Sequence, residues 1–369
     1  EPFGVVTERG SSVTNLAVGD GVSWWFSLGA YAEYCYVDTA HAHNGYPTYL
    51  FRNGAKVSFD NRIIPGSDNK PGTGVAPLDG RKQWAPQLLA EDVQRYLAER
   101  AKDRSKPFFL YYAPILPHAN NEADESSPLG HGMEAPADPE FASRDWPAVE
   151  KAFASAMKFV DRDVGAVMAQ LKALNLDEHT IVMFSSDNGA TFSAGVDSKF
   201  FNSVAGLRGL KMDLYEGGIS VPFIARWPGK IAPNTVSNHA SVQYDIMPTL
   251  AALTGKPVPN LDGISLLPTL MGQAAAQKIH PFFYFEYPEN GGQLAVRIGN
   301  WKGIKRNVRK DPSSAWELFN METDRYEKNN VAATHPEIIK EMMDIAKREH
   351  VHPHVLDWEF IDPKIKKVQ

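Results

Sequence analysis

Residues 180–189 read TIVMFSSDNG: an apolar, partly β-branched run from Thr180 to Phe184 passes straight into Ser185-Ser186-Asp187-Asn188-Gly189. A short continuous apolar run closed by turn residues predicts a strand covered on both faces, the kind found in parallel sheets. Working outward, Val149, Phe153, Met157, Val160, Val164, Val167, Leu171 and Leu174 recur at intervals of three and four. That spacing predicts a long amphipathic helix, with Asp145 as its cap and Pro147 in its first turn. Before it, Pro107 to Ala113 (PFFLYYA) reads as a second buried strand, and Leu88, Leu89, Val93, Tyr96 and Leu97 mark an earlier helix. Strand, helix, strand in this order calls for a right-handed crossover. The expected fold class is therefore α/β, with a parallel-rich central sheet sandwiched by helices.

Ser220 to Trp227 predicts a third strand, weakened by Pro222, and Val242 to Leu253 a helix ending at Gly255. The pattern changes near residue 275. Phe282–Tyr287, Gln293–Ile298, Trp301–Arg306 and Trp316–Asn320 predict short antiparallel strands, and Pro336 to Arg348 a helix. The expected organisation is an α/β domain over 1–275 and a small α+β subdomain over 276–369.

Hydrophobic residues at 43%, charged residues at 22% and a net charge of −6 fit a globular enzyme and give nucleic acid no basic footprint. No apolar stretch approaches the roughly 20 residues that span a bilayer. Glu1 opens the chain without a methionine, as in a mature form or a fragment. The single cysteine, Cys35, excludes an internal disulfide and reads as a packed thiol.

In open α/β sheets ligands gather beyond the carboxyl ends of strands. Pro114 to Glu122, containing His118, and Asp187-Asn188-Gly189 both fall there. An Asp carboxylate beside an Asn carbonyl suits Ca²⁺ or Mg²⁺, although the same tripeptide is a favoured turn. His118 is a proton donor or a solvated loop residue. Lys211, in the glycine-flanked GLRGLKMDLYEGG (206–218), is an anion ligand or a surface cation. His41 and His43 share one side of an extended segment, where packing or substrate contact is preferred to a metal. His350, His352 and His354 also alternate, with a metal as the lesser reading. Tyr46, Tyr49, Tyr111 and Tyr112 wall a sugar pocket or fill core.

The order PH-AN, SSDNG, GLRGLKMDLYEGG and VPFIARWPGKI, with YPTYL (46–50), YDIMPTL (244–250), GNWK (299–302) and ELFN (317–320), resembles the sulfatases of the alkaline-phosphatase-like superfamily. The resemblance runs from about residue 34 to the end. It implies that Asp187 and Asn188 are half of a Ca²⁺ site, with Mg²⁺ as the alternative ion. It further implies that His118 contacts the sulfate and assists departure of the alcohol, and that Lys211 binds a sulfate oxygen. The family nucleophile is a formylglycine made from a Cys- or Ser-x-Pro-x-Arg motif. No such motif occurs in this chain, and no two Asp residues are adjacent to complete the metal site. The implied activity of the complete protein is hydrolysis of sulfate esters on a carbohydrate or aryl substrate, in the periplasm or outside the cell. A phosphohydrolase, or an inactive chain binding anionic glycans, is the alternative, and negligible turnover is expected of this chain by itself.

Overall fold

The computed structural model describes residues 3–5, 21–23, 44–53, 55–65, 74–121, 123, 128–256, 258 and 261–362. Cys35, His41 and His43 lie outside them. The chain forms two compact units, residues 1–177 with 193–197 and residues 178–192 with 198–369.

In the first unit, β1 (Tyr49–Arg52) pairs antiparallel with β2 (Ala55–Ser58). Helix α1 (Ala85–Lys102) buries Val93, Tyr96 and Leu97 and ends in the charged stretch expected to stop it. Helix α2 (Ala148–Ala173) has Pro147 at its N-cap, with no side-chain cap, so the cap expected of Asp145 is not formed. Its inward face carries Phe153, Ala156, Val160, Asp163 and Leu171, while Met157 and Val164 point outward. At 3.6 residues per turn those two flank the stripe rather than sit on it. Asp163 is kept on that face by Arg162 at 2.8 Å and by the Tyr112 hydroxyl at 3.4 Å. Trp84 meets Phe159 edge-on at 4.6 Å, inside a core that includes Tyr46, Leu116, Met133 and Ala156. Tyr46 is therefore core, whereas Tyr111 is 60% exposed.

The strand expected over Pro107–Ala113 joins no ladder among the described residues. Its burial still alternates with period two: Phe108, Leu110 and Tyr112 turn inward, Phe109 and Tyr111 outward. The segment is covered on one side, so its unbroken apolarity overstated its burial.

In the second unit, β3 (Val182–Ser185) pairs antiparallel with β4 (Phe223–Arg226), Met183 opposite Ala225. The parallel-rich central sheet expected from the sequence has no counterpart among the described residues, where every ladder is antiparallel. Apolar composition reports how deeply a strand is covered and carries no direction, and strand direction was the part of the reading that failed.

Helix α3 (Ile246–Thr254) ends on Gly255, whose φ of 65° is the left-handed C-cap that glycine allows. At its start Asp245 is fully buried. Its Oδ1 accepts from Ile264 N and pairs with His280 Nε2, both at 2.8 Å, and its Oδ2 accepts from Val242 N at 3.0 Å. Asp245→Ala strands these donors without acceptors. It is expected to cost about 2–3 kcal/mol, read as a lower urea midpoint at unchanged slope; an unmoved midpoint would remove the residue from the stability argument.

Strands β5 (Phe283–Tyr287), β6 (Gln293–Ile298), β7 (Trp301–Lys305) and β8 (Trp316–Asn320) form an antiparallel sheet in the order β8-β7-β6-β5. One face packs Leu294, Val296, Trp316 and Leu318 against Met342, Ile345 and Ala346 of α4 (Pro336–Glu349). Gly303 lets α4 approach, because a Cβ there would strike Met342 Sδ. The opposite face packs Ala295, Ile304 and Phe319 against Leu214 and Tyr215. Here the sequence reading and the structure agree closely. Among the described residues no helix is long and apolar enough to cross a membrane.

Candidate active site

The loop that begins where β3 ends is built from its own side chains. Asn188 N donates to Asp187 Oδ1 of the preceding residue at 2.9 Å, and Ser186 Oγ donates to Asn188 O at 2.9 Å. Asn188 Nδ2 donates to Gly189 O at 2.9 Å, which settles the amide's orientation and makes Oδ1 its other end. Gln243 Nε2 anchors the loop by donating to Ser186 O at 2.6 Å. Asp187 is exposed and Asn188 half-buried. One carboxylate and one amide oxygen side by side are hard donors. They fit a Ca²⁺ ion and supply part of the roughly six to eight oxygens it takes.

Lys211 is carried to the same place by backbone. Gly189 N donates to Gly218 O at 2.9 Å, and Lys211 N to Ala190 O at 2.8 Å. The two segments touch so closely that a Cβ on Gly189 would overlap Gly217 O, while one on Gly218 would overlap Asp213 O within its own loop. Met212, next to Lys211, has a φ of 75°, a left-handed conformation that costs an unbranched non-glycine residue about 1–3 kcal/mol. Gln293, fully buried on β6, holds it there. Its Nε2 donates to Met212 O at 2.8 Å and its Oε1 accepts from Leu214 N at 3.3 Å. The flank of the loop rests on charge: Lys302 Nζ reaches Glu216 at 2.7 Å and Glu327 at 2.8 Å, and Arg208 donates to Glu317 at 3.0 Å. Burial holds the Glu327 carboxyl above the usual glutamate range, with Lys302 pulling the other way.

His118 belongs to the first unit. The loop turns back at Ile115, whose carbonyl accepts from His118 N at 2.9 Å. The imidazole Nδ1 lies 2.6 Å from the Ala119 carbonyl. A carbonyl only accepts, so Nδ1 carries the proton of the neutral ring. His118 borders a narrow cleft with Trp84, Asn120, Met133 and Glu134. Glu134 is the post beneath it, accepting from Gly45 N at 2.9 Å and Asn120 Nδ2 at 3.2 Å, with Arg81 at 3.4 Å. Burial raises its carboxyl above the ordinary range.

Of the four site residues expected from sequence, Asp187, Asn188 and Lys211 thus share one pair of stitched loops, and His118 stands on a separately braced loop. Sequence reasoning missed Gln293, Glu134 and the strained Met212. A glutamine opening a mostly apolar strand was the signal for the first; the other two leave none.

Residues 13–256 match the sulfatase family, starting earlier than the motifs alone suggested. Residues 210–350 match the C-terminal region of N-sulphoglucosamine sulphohydrolase. Arylsulfatase A of Bos taurus is 31% identical over 297 residues, 73% of this chain and 54% of its own. N-acetylgalactosamine-6-O-sulfatase of Bacteroides thetaiotaomicron is 29% identical over 291 residues, 69% of this chain and 50% of its own. The chain therefore spans about half the length of these relatives. The crystal structure of Ps i-CgsB superposes with a TM-score of 0.62 at 25% identity, over 82% of this chain and 57% of that one. That protein has also been solved in complex with k-i-k-neocarrahexaose. With residues 13–256, about two thirds of its length, matched as a sulfatase, the chain belongs to the sulfatase family.

Proposed function

We propose that the complete protein hydrolyses sulfate esters of a carbohydrate, with Asp187 and Asn188 holding part of a Ca²⁺ site, Lys211 binding a sulfate oxygen, and His118 serving the leaving alcohol. The observation that carries this reading is the backbone stitching of Lys211 to the Asp187-Asn188 loop, which sets a cation and a metal-ligand pair on one rigid support. Bound there, Ca²⁺ supplies charge stabilisation for the sulfate oxygens. Lys211 adds a point charge that is worth most where negative charge grows on an oxygen. His118 Nε2, with Nδ1 tied to the Ala119 carbonyl, is the atom that hands a proton to the departing oxygen. The nucleophile is assigned to a formylglycine of the complete protein. A glycan substrate is favoured because Ps i-CgsB was solved with an oligosaccharide and the N-acetylgalactosamine-6-O-sulfatase is named for a sugar. By the same reading the enzyme works outside the cytoplasm.

Turnover of matched sulfate and phosphate monoesters by the complete protein tests the reading. The sulfate ester is expected to be preferred, Ca²⁺ dependence to vanish in Asp187→Ala, and kcat to fall about 10²-fold in Lys211→Ala. A faster phosphate ester would make the protein a phosphohydrolase, and Ca²⁺ dependence unchanged in Asp187→Ala would remove the metal assignment.

A further inference from the structure

The alternating histidines at the end of α4 do not all point into solvent. His350, the C-cap of the helix, and His352, two residues on, turn toward Glu359, which the following segment returns to them. Glu359 Oε2 lies 3.1 Å from His350 Nε2 and 2.9 Å from His352 Nδ1, and the three ligand atoms lie within 4.8 Å of one another. Two nitrogens and an oxygen at about 2.0–2.2 Å from a tetrahedral Zn²⁺ stand roughly 3.3 Å apart. The two nitrogen–oxygen spacings, 3.1 and 2.9 Å, are close to that separation. The imidazoles are perpendicular, with centroids 5.1 Å apart.

Each ligand is also steered from behind. His350 Nδ1 meets Glu286 Oε1 at 2.9 Å, and Glu286 Oε1 accepts from the Tyr284 hydroxyl at 2.5 Å. Glu359 Oε1 accepts from Ile361 N at 2.8 Å and Asp362 N at 2.9 Å, which leaves Oε2 directed at the histidines. A carboxylate behind a histidine, itself hydrogen-bonded, is the outer support that fixes a metal-binding imidazole. His350 and Glu359 are 10% and 4% exposed and His352 is 56% exposed, so the cluster has two buried ligands and one at the surface through which an ion enters.

We propose that His350 Nε2, His352 Nδ1 and Glu359 Oε2 form a three-ligand site for Zn²⁺ or a similar borderline transition metal, completed by water and oriented by Glu286, that ties the segment after α4 to the helix end and the β5 edge of the sheet. Nitrogen ligands make it selective against Ca²⁺, so it is chemically distinct from the Asp187-Asn188 pair. The metal replaces protons now shared between the imidazoles and the carboxylate.

The test is calorimetric titration of Zn²⁺ into the chelator-stripped full chain, with Ca²⁺ in excess to occupy oxygen sites. One equivalent is expected to bind. His352→Ala, at an exposed position that leaves folding intact, and Glu286→Gln are each expected to weaken it by about tenfold or more, while His354→Ala leaves it unchanged. Co²⁺ in place of Zn²⁺ is expected to give the intense visible bands of a four-coordinate N/O site, lost in His352→Ala. Failure of the parent chain to bind Zn²⁺, or full affinity in both His352→Ala and Glu359→Gln, would overturn the proposal.

Discussion

Lys302→Met is expected to lower the stability of the second unit by about 3–5 kcal/mol, because it leaves two inward carboxylates without their cation. Lys302 is 1% exposed and Glu327 fully buried, and their 2.8 Å pairing sits beneath the segment that presents Lys211. Glu327 cannot escape to water: its Oε2 also accepts from Glu216 N at 2.8 Å, so displacing it would unmake the turn that begins at Glu216. The loss has a definite pH dependence. Burial already places the Glu327 carboxyl above the ordinary glutamate range while Lys302 lowers it, and without Lys302 it rises further. A carboxyl raised on folding contributes stability below its unfolded pKa and loses it as pH climbs through the folded value. The gap between variant and parent should therefore be smallest in acid and widen toward neutral pH. Urea melts at several pH values check this. A gap independent of pH would mean that lost packing of the lysine stem, and not the stranded carboxylate, is responsible.

The second large effect is local. Gly189→Ala places a methyl group on Gly217 O, and neither partner is a flexible side chain that could swing aside. Backbone must move, at about 3 kcal/mol, and the first bonds to open are Gly189 N to Gly218 O and Lys211 N to Ala190 O. Amide exchange is the appropriate measurement. Gly189 and Lys211 should lose protection while β6 and β7 keep theirs. Equal exchange at Lys211 in parent and variant would show that the loops are held together by something other than this contact.

Much of this molecule can be read from its sequence, and the limits of that reading have physical causes. The C-terminal strands were legible because Gln293–Ile298, Trp301–Arg306 and Trp316–Asn320 are short segments separated by turn residues, whose antiparallel pairing follows from chain proximity. Gly255 announced the end of α3 through its backbone freedom. Strand direction was not legible. Thr180–Ser186 and Pro107–Ala113 have the apolarity of buried parallel strands, yet the first pairs antiparallel with Phe223–Arg226 and the second turns Tyr111 outward. The Asp187-Asn188 pair and Lys211 could be nominated from residue type and neighbouring glycines. The left-handed Met212 could not, because its conformation is imposed by Gln293 from a strand far along the chain. Glu359 was invisible as a companion of His350 and His352 for the same reason: only the return of the chain brings it back.

The meeting of Gly189 with Gly217 and Gly218 also bears on how this site could change under selection. A Cβ at 189 would strike the Gly217 carbonyl, one at 217 the Gly209 carbonyl and one at 218 the Asp213 carbonyl, so every non-glycine codon at these three positions carries a steric penalty. New specificity has to be acquired on surrounding loops, which can lengthen or change residues without disturbing the cradle. A saturation library over 189, 217 and 218 should return glycine almost alone, and a designer altering the site should leave these positions untouched.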